Sequence, residues 1–225
     1  MSKNNNLEYY SEEKILNPPL HVRDEIDIIF RYLTKDKKKR IVDFGSGGGR
    51  LTIPLLQSEY KITAIDIDKK SQEQLLKTAI NIGKNKNLLI NQIFLKDKKY
   101  DYILGTDILH HIDINKYFKL FNNHLKKGGK IIFSEPNSWN VNWWIFIFLF
   151  LDWKQEKGIL QINYFKLINR LKLSGFKEIK IIGLFLLPPM IFNRFPLLRK
   201  INMFLGNLPI LKLFAFRYII ISNNE

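Results

Sequence analysis

The chain of 225 residues contains no cysteine. That excludes a disulfide framework, a thiolate zinc site and any mechanism built on a cysteine nucleophile. It also fits a reducing compartment. Histidine is scarce as well, with four residues at positions 21, 110, 111 and 124, and their spacing gives no metal-ligand pattern. Long apolar runs are missing. The longest, Trp143–Leu151, has nine residues, whereas a membrane-crossing helix needs about 20. Residues 1–14 are polar and carry no apolar core of a secretory signal. A cytoplasmic setting is therefore expected, with a peripheral seat at a membrane as its variant. Acidic residues are thin in the second half: residues 110–225 hold 17 basic against 6 acidic, whereas residues 1–109 hold 19 against 15. The net charge of +15 points to an anionic partner such as phosphate, nucleic acid or an acidic membrane surface, and fits equally well a lysine-rich chain with solvated charges. With 46% hydrophobic and 25% charged residues the composition is that of a folded domain.

What is present alternates. Residues 1–20 read as a mobile entry segment closed by Pro18 and Pro19. Val22, Ile26, Ile29, Phe30 and Leu33 then recur at helical spacing. After the charged loop KDKKKR come a strand RIVDF, the turn GSGGG and a helix whose Pro54 should bend it. KITAIDI is a second strand and Lys69–Ile82 a helix; Leu88–Phe94 and YDYILGT are further strands. A helix around Asn115–Leu125, the turn KKGG and the strand KIIFSEP follow. Strands alternating with helices of this length predict a doubly wound parallel sheet with helices on both faces. Beyond it, Tyr164–Leu173 reads as a helix, and Phe176–Ile182 and Ala215–Ser222 read as strands. Between those strands Pro196 opens and Gly206 closes a short helix with Leu197, Ile201, Phe204 and Leu205 on one face.

The most informative stretch is Asp43-Phe44-Gly45-Ser46-Gly47-Gly48-Gly49-Arg50. Glycines permit positive φ and let a ligand approach the main chain, and N–H groups at a helix start suit a polar or anionic group. Asp66 stands 21 residues after Gly45, where a nucleoside-binding fold places a carboxylate for ribose hydroxyls. The dinucleotide fingerprint G-x-G-x-x-G fails, because Arg50 occupies its third glycine position. That weighs against a nicotinamide-dependent oxidoreductase.

In its D-x-G-x-G-x-G loop the chain resembles the class I S-adenosylmethionine-dependent methyltransferases. YDYILGTDILHHI is similar to that family's fourth-strand motif, LKKGGKIIFSEPN to its fifth-strand motif with Lys127 in place of the usual proline, and LINRLKLSGFKEIKII to its late helix and strand. The likeness runs from about residue 21 to Ser222. It implies a single Rossmann-like domain over residues 1–225: a seven-stranded mixed sheet, mostly parallel, with the last strand antiparallel. It implies S-adenosylmethionine as cofactor and S-adenosylhomocysteine as product. Gly45, Ser46, Gly47 and Gly49 would line the methionine part, Asp43 would orient its amino group, and Asp66 would grip the ribose. Ile67 and Asp68 would lie near the adenine, while the family's usual adenine-reading acid after the third strand is missing, leaving Asn91 or Gln92. Thr106 and Asp107 would flank the methyl donor.

Methyl transfer is an in-line displacement, and a base is needed only where the acceptor loses a proton. His110, His111 and Glu135 are the candidates, with Asp107 a further one; the histidines have a capping, packing or hydrogen-bonding role as their alternative, Glu135 a solvated strand end, and no metal is called for. Without cysteine the covalent route to methylated pyrimidine carbons is closed. The exocyclic-amine DNA enzymes carry Asp/Asn-Pro-Pro-aromatic where this chain has Gly105-Thr106-Asp107-Ile108, and no module is left to handle a flipped base. Nucleic acid is thus not expected as a partner. Residues 138–160, which hold all four tryptophans, and residues 184–213 read as core, or as substrate-covering or membrane-facing insertions. The expected activity is methyl transfer to a small or lipid-like acceptor. An RNA or protein methyltransferase recruited by charge, or a non-catalytic membrane-surface adaptor, are its alternatives.

Overall fold

Short strands whose residues are all buried need cover on both faces, and the parallel sheet with flanking helices supplies it. The computed structural model describes residues 11–224. The chain divides into two compact units, residues 1–105 and 106–225. The first unit contains α1 (Glu12–Leu16), α2 (Leu20–Arg31), β1 (Ile41–Phe44), α3 (Thr52–Gln57), β2 (Ile62–Ile65), α4 (Lys69–Asn81), β3 (Leu88–Asn91) and β4 (Tyr100–Thr106), whose last residue opens the second unit. β1 pairs in parallel with β2 (Ile41 opposite Ile62) and with β4 (Ile41 opposite Tyr102), and β2 pairs in parallel with β3. Every residue of β1 and β2 is buried. On α2, Val22, Ile26 and Ile29 form the inward stripe that their spacing predicts.

The second unit contains α5 (Ile114–His124), β5 (Leu125–Pro136), α6 (Val141–Phe150), α7 (Trp153–Glu156), α8 (Tyr164–Leu173), β6 (Lys177–Leu184), α9 (Pro196–Asn207) and β7 (Arg217–Asn223). β7 runs antiparallel to both β5 and β6, with Phe133 opposite Ile220 and Ile181 opposite Ile220. Asp113, Asn140, Asp152 and Asn163 each cap a helix by accepting a backbone N–H. Through the chain the order is β3-β2-β1-β4-β5-β7-β6 in one seven-stranded sheet, mostly parallel with the last strand reversed, as expected.

Four details depart from the sequence reading. Residues 1–10 lie outside the described residues; the remainder of the expected mobile entry segment carries α1, and Ile15 on it is buried. Pro54 falls in the first turn of α3, where a missing N–H costs least, so the bend expected of it is not required. KKGG is part of β5 and not a separate turn: Gly128 takes φ +71 and its N–H donates to Asn224 O at 2.9 Å. The core reading of residues 138–160 fails for α6, where Ile147 alone is buried and Phe148 is 88% exposed.

Gly183 on β6 marks a close backbone approach in the second unit. A Cβ there would lie 1.9 Å from Gly206 O and 2.9 Å from Ala215 Cβ. Gly183→Ala should therefore destabilise the protein by about 1–3 kcal/mol and lower Tm by roughly 2–10 °C. Thermal unfolding followed by circular dichroism checks this.

Candidate active site

In an open α/β sheet, ligands bind beyond the carboxyl ends of the strands, where the strand order reverses. In the first unit that point lies between β1 and β4. Asp43 sits inside β1 and is buried, and its Oδ2 accepts the Thr52 hydroxyl at 2.6 Å. Burial pushes its carboxyl up to about 7, with the Thr52 hydrogen bond opposing and the nearby Asp66 charge adding to the rise. The chain then turns through Gly45, Gly47 and Gly49 at φ +71, +50 and +102. The requirement for glycine differs along the turn. A Cβ at Gly49 would lie 2.6 Å from Leu75 Cδ1, whereas at Gly47 no atom lies within 4 Å and the backbone angle alone demands glycine.

The turn is tied to the acid of the next strand. Gly45 and Ser46 N–H both donate to Ile65 O, at 2.8 and 3.1 Å. Gly47 N–H donates to Asp66 Oδ2 at 2.7 Å, and Asp68 N–H donates to Asp66 Oδ1 at 2.8 Å. At the turn and at the end of β3, Ser46 Oγ and Asn91 Nδ2 are buried without a hydrogen-bond partner. Beside them Ile67 stands 84% exposed. Asp68 serves the next helix instead. Its carboxylate caps α4 through Ser71 N–H and Oγ, and the Ser71 hydrogen bond holds its carboxyl below the usual range. Arg50, the residue that broke the dinucleotide pattern, is buried in an ion pair with Glu25 of α2.

The second unit supplies its own cluster. Asp107, directly after β4, adopts φ +55, its N–H donates to Ser134 O at 2.9 Å, and its carboxylate meets Arg217 Nη2 at 2.7 Å. Glu135 is fully buried. Its Oε1 accepts the N–H groups of Ile108 and Leu109 at 2.8 and 2.7 Å, and its Oε2 meets His110 Nδ1 at 2.6 Å. On its other edge His110 Nε2 lies 3.4 Å from Glu156 Oε2. Burial alone would depress His110, but the charge and hydrogen bond of Glu135, then Glu156 and Asp107, lift it to about 10. His110 is thus a buried imidazolium at neutral pH. His111, exposed and with its ring 4.0 Å from that of His110, is lowered by desolvation and by its cationic neighbour, and stays neutral. Donor atoms of His110, His111 and Glu156 lie within 4.8 Å of one another, close enough to surround a cation. The proton on His110 already balances charge there.

The structure thus gathers Asp43, Gly45, Ser46, Gly47, Gly49, Asp66 and Ile67 in the first unit. In the second it places Asp107, His110 and Glu135 in one network, with Thr106 preceding it and His111 beside it. Sequence reasoning missed Glu156 and Arg217. Each carried a faint signal: Glu156 is one of six acids after residue 109, and Arg217 is the one charged residue of the last strand.

Residues 20–176 match a family model described as a methyltransferase domain. A curated relative, the ubiquinone biosynthesis O-methyltransferase of Rickettsia prowazekii, is 30% identical over 132 residues, which cover 55% of this chain and 51% of that one. The chain spans about half the length of the curated relatives it matches. Among solved structures, Haemonchus contortus phosphoethanolamine N-methyltransferase 2 in complex with S-adenosyl-L-methionine aligns with TM-score 0.68 at 14% identity, over 96% of this chain and 58% of that one. An Archaeoglobus fulgidus S-adenosylmethionine-dependent methyltransferase aligns with TM-score 0.64 at 17% identity, over 95% and 97%. Both likenesses are of fold.

The raised His110 value has a consequence for stability. A folded-state value of about 10 against an ordinary 6.5 gives stabilisation that is complete below pH 6.5 and is lost as pH rises through 10. The urea midpoint should fall between those limits, and His110→Gln should flatten that fall while lowering the midpoint at pH 6.5.

Proposed function

Given that this chain belongs to the methyltransferase-domain family, we propose that it is an S-adenosylmethionine-dependent methyltransferase acting on a hydroxyl oxygen of a small, largely apolar or lipid-like acceptor. S-adenosylmethionine supplies an electrophilic methyl group on a sulfonium. The first unit's residues fit such a nucleoside. Asp66 already accepts two backbone N–H groups, yet each carboxylate oxygen keeps a second lone pair, so two ribose hydroxyls can be held without undoing the glycine turn. Gly45, Gly47 and Gly49 leave the main chain open to the methionine part, and Ser46 Oγ offers it an unused hydroxyl. Asn91 Nδ2 is a buried donor lacking an acceptor, which a nitrogen of the adenine edge provides, and Ile67 gives the ring an apolar face. The observation that carries the reading is this pair of unsatisfied polar groups beside the Asp66–Gly47 tie.

Proton handling falls to the second unit. Glu135, whose carboxylate is taken up by the donors of Ile108, Leu109 and His110, and His110, already protonated at neutral pH, are suited to positioning. His111 is neutral and exposed, and it takes the acceptor's hydroxyl proton as the oxygen attacks. Asp107, paired with Arg217, contributes backbone beside Thr106. An oxygen acceptor is supported by relatives that are named O-methyltransferases. An apolar one is supported by the exposed aromatic and aliphatic side chains of α6.

Calorimetric titration with S-adenosylmethionine and S-adenosylhomocysteine, with NADH as control, tests the cofactor. Asp66→Ala should weaken binding of the first two by roughly 10- to 100-fold; unchanged affinity removes the ribose role. Asp43, raised to about 7, should ionise against the ligand's ammonium group, so binding should release a proton at pH 6, read as a dependence of heat on buffer ionisation enthalpy. In a methyl-transfer assay on phenols bearing short and long alkyl tails, His111→Gln should lower kcat by about 10²- to 10⁴-fold with cofactor affinity unchanged. Turnover that survives this change assigns the base elsewhere.

A further inference from the structure

Helix α9 is folded inside out. Its buried residues are Asn202 and Gly206, while Leu197 is 71% exposed and Phe204 64% exposed, with Leu198 and Ile201 also outward. The inward side is polar by construction. Asn202 Oδ1 accepts the N–H groups of Leu186 and Leu187 at 2.9 and 2.8 Å, and its Nδ2 donates to Leu187 O at 3.0 Å. Gly206 lets the helix sit directly on the chain, since a Cβ there would lie 2.4 Å from Phe185 C. A surface helix ordinarily turns its apolar stripe to the core. This one is anchored by hydrogen bonds and close backbone approach, and it leaves its apolar stripe in water. Phe195 and Ile210, on either side of the helix, are exposed too, so the outward patch is larger than the scattered apolar residues of an ordinary surface.

The charges around the patch have one sign. Residues 179–224 contain six basic side chains and no acidic one. Arg194 precedes the helix and Lys200 lies on it, both exposed. We propose that α9 and its flanks form a docking surface for an anionic lipid bilayer, with Leu197, Leu198, Ile201 and Phe204 entering the boundary of the acyl chains and Arg194 and Lys200 meeting lipid phosphates. The charge complementarity argues for lipid over a second copy of this chain. A two-fold contact through the patch sets Arg194 and Lys200 against their own copies, with no acid on the segment to compensate. Helix α6, with Phe148 outward, begins in the same neighbourhood, because Asn140 Nδ2 donates to Leu186 O and Phe214 O at 2.8 and 2.7 Å.

The proposal stands apart from the methyl-transfer reading, and its test contains no cofactor. The full chain is sedimented with vesicles of phosphatidylcholine alone and of phosphatidylcholine with about one third phosphatidylglycerol. Binding should be about tenfold or more stronger to the anionic vesicles and should weaken with added salt. Arg194→Gln with Lys200→Gln should remove most of that preference. Leu197→Asp with Phe204→Asp should abolish binding to both vesicles, and since both side chains are exposed its thermal unfolding should match wild type. Equal binding to both vesicles, or none to either, overturns the proposal. So does a wild-type dimer in light scattering that the Leu197→Asp, Phe204→Asp variant converts to a monomer without vesicle binding having been seen; a second copy then covers the face.

Discussion

A carboxylate sealed away from water must collect donors, and Glu135 collects three: the backbone N–H groups of Ile108 and Leu109 and the ring of His110. That demand shapes the turn after β4. The chain leaves the strand through Asp107 in a left-handed conformation, which brings successive N–H groups onto one oxygen. The His110 proton is then held between Glu135 and Glu156, and its charge fixes the neighbouring histidine in the neutral form. Removing the carboxylate strands two backbone donors and an imidazolium together, so the members of this network are not independent.

The first unit handles its charges in the opposite way. Asp43 is buried with Thr52 as its hydrogen-bonding partner and rests near half protonation, while Asp66 is supported by backbone donors at the rim of the same turn. One carboxyl is left under-solvated and the other over-supported. They stand on neighbouring strands, in the register that sets Asp43 opposite Ala64, just short of Asp66. A cationic ligand group relieves the first without disturbing the second.

Much of this was legible in the sequence, for reasons that can be traced. The run IVDF, the glycines and the acid in AIDID announced themselves because each is dictated locally: buried strands by apolar composition, the turn by positive φ, the acid by its place at a strand end. The helix read as Lys69–Ile82 ends at Asn81 because its caps are local as well. The strand expected to reach Phe94 stops at Asn91, since Phe94 leaves it to stack on Phe44 at 5.7 Å, a contact between residues fifty positions apart. Glu135 looked like a strand end open to solvent or a base, and only the fold brings Ile108, Leu109 and His110 onto it. The spacing of Leu197, Ile201 and Phe204 gave the helix and its apolar face correctly, but periodicity does not say which side faces water.

All four tryptophans fall between residues 139 and 153, in the second unit. Trp143 stacks on Phe216 at 4.6 Å and donates its Nε1–H to the Phe216 carbonyl, and Trp144 packs beside Trp153 at 5.8 Å. The intrinsic ultraviolet emission of this protein therefore originates in one neighbourhood. A change at the start of β7, where Trp143 packs on Phe216, therefore alters the quantum yield directly. The molecule carries a built-in optical reporter of that neighbourhood, with no label required.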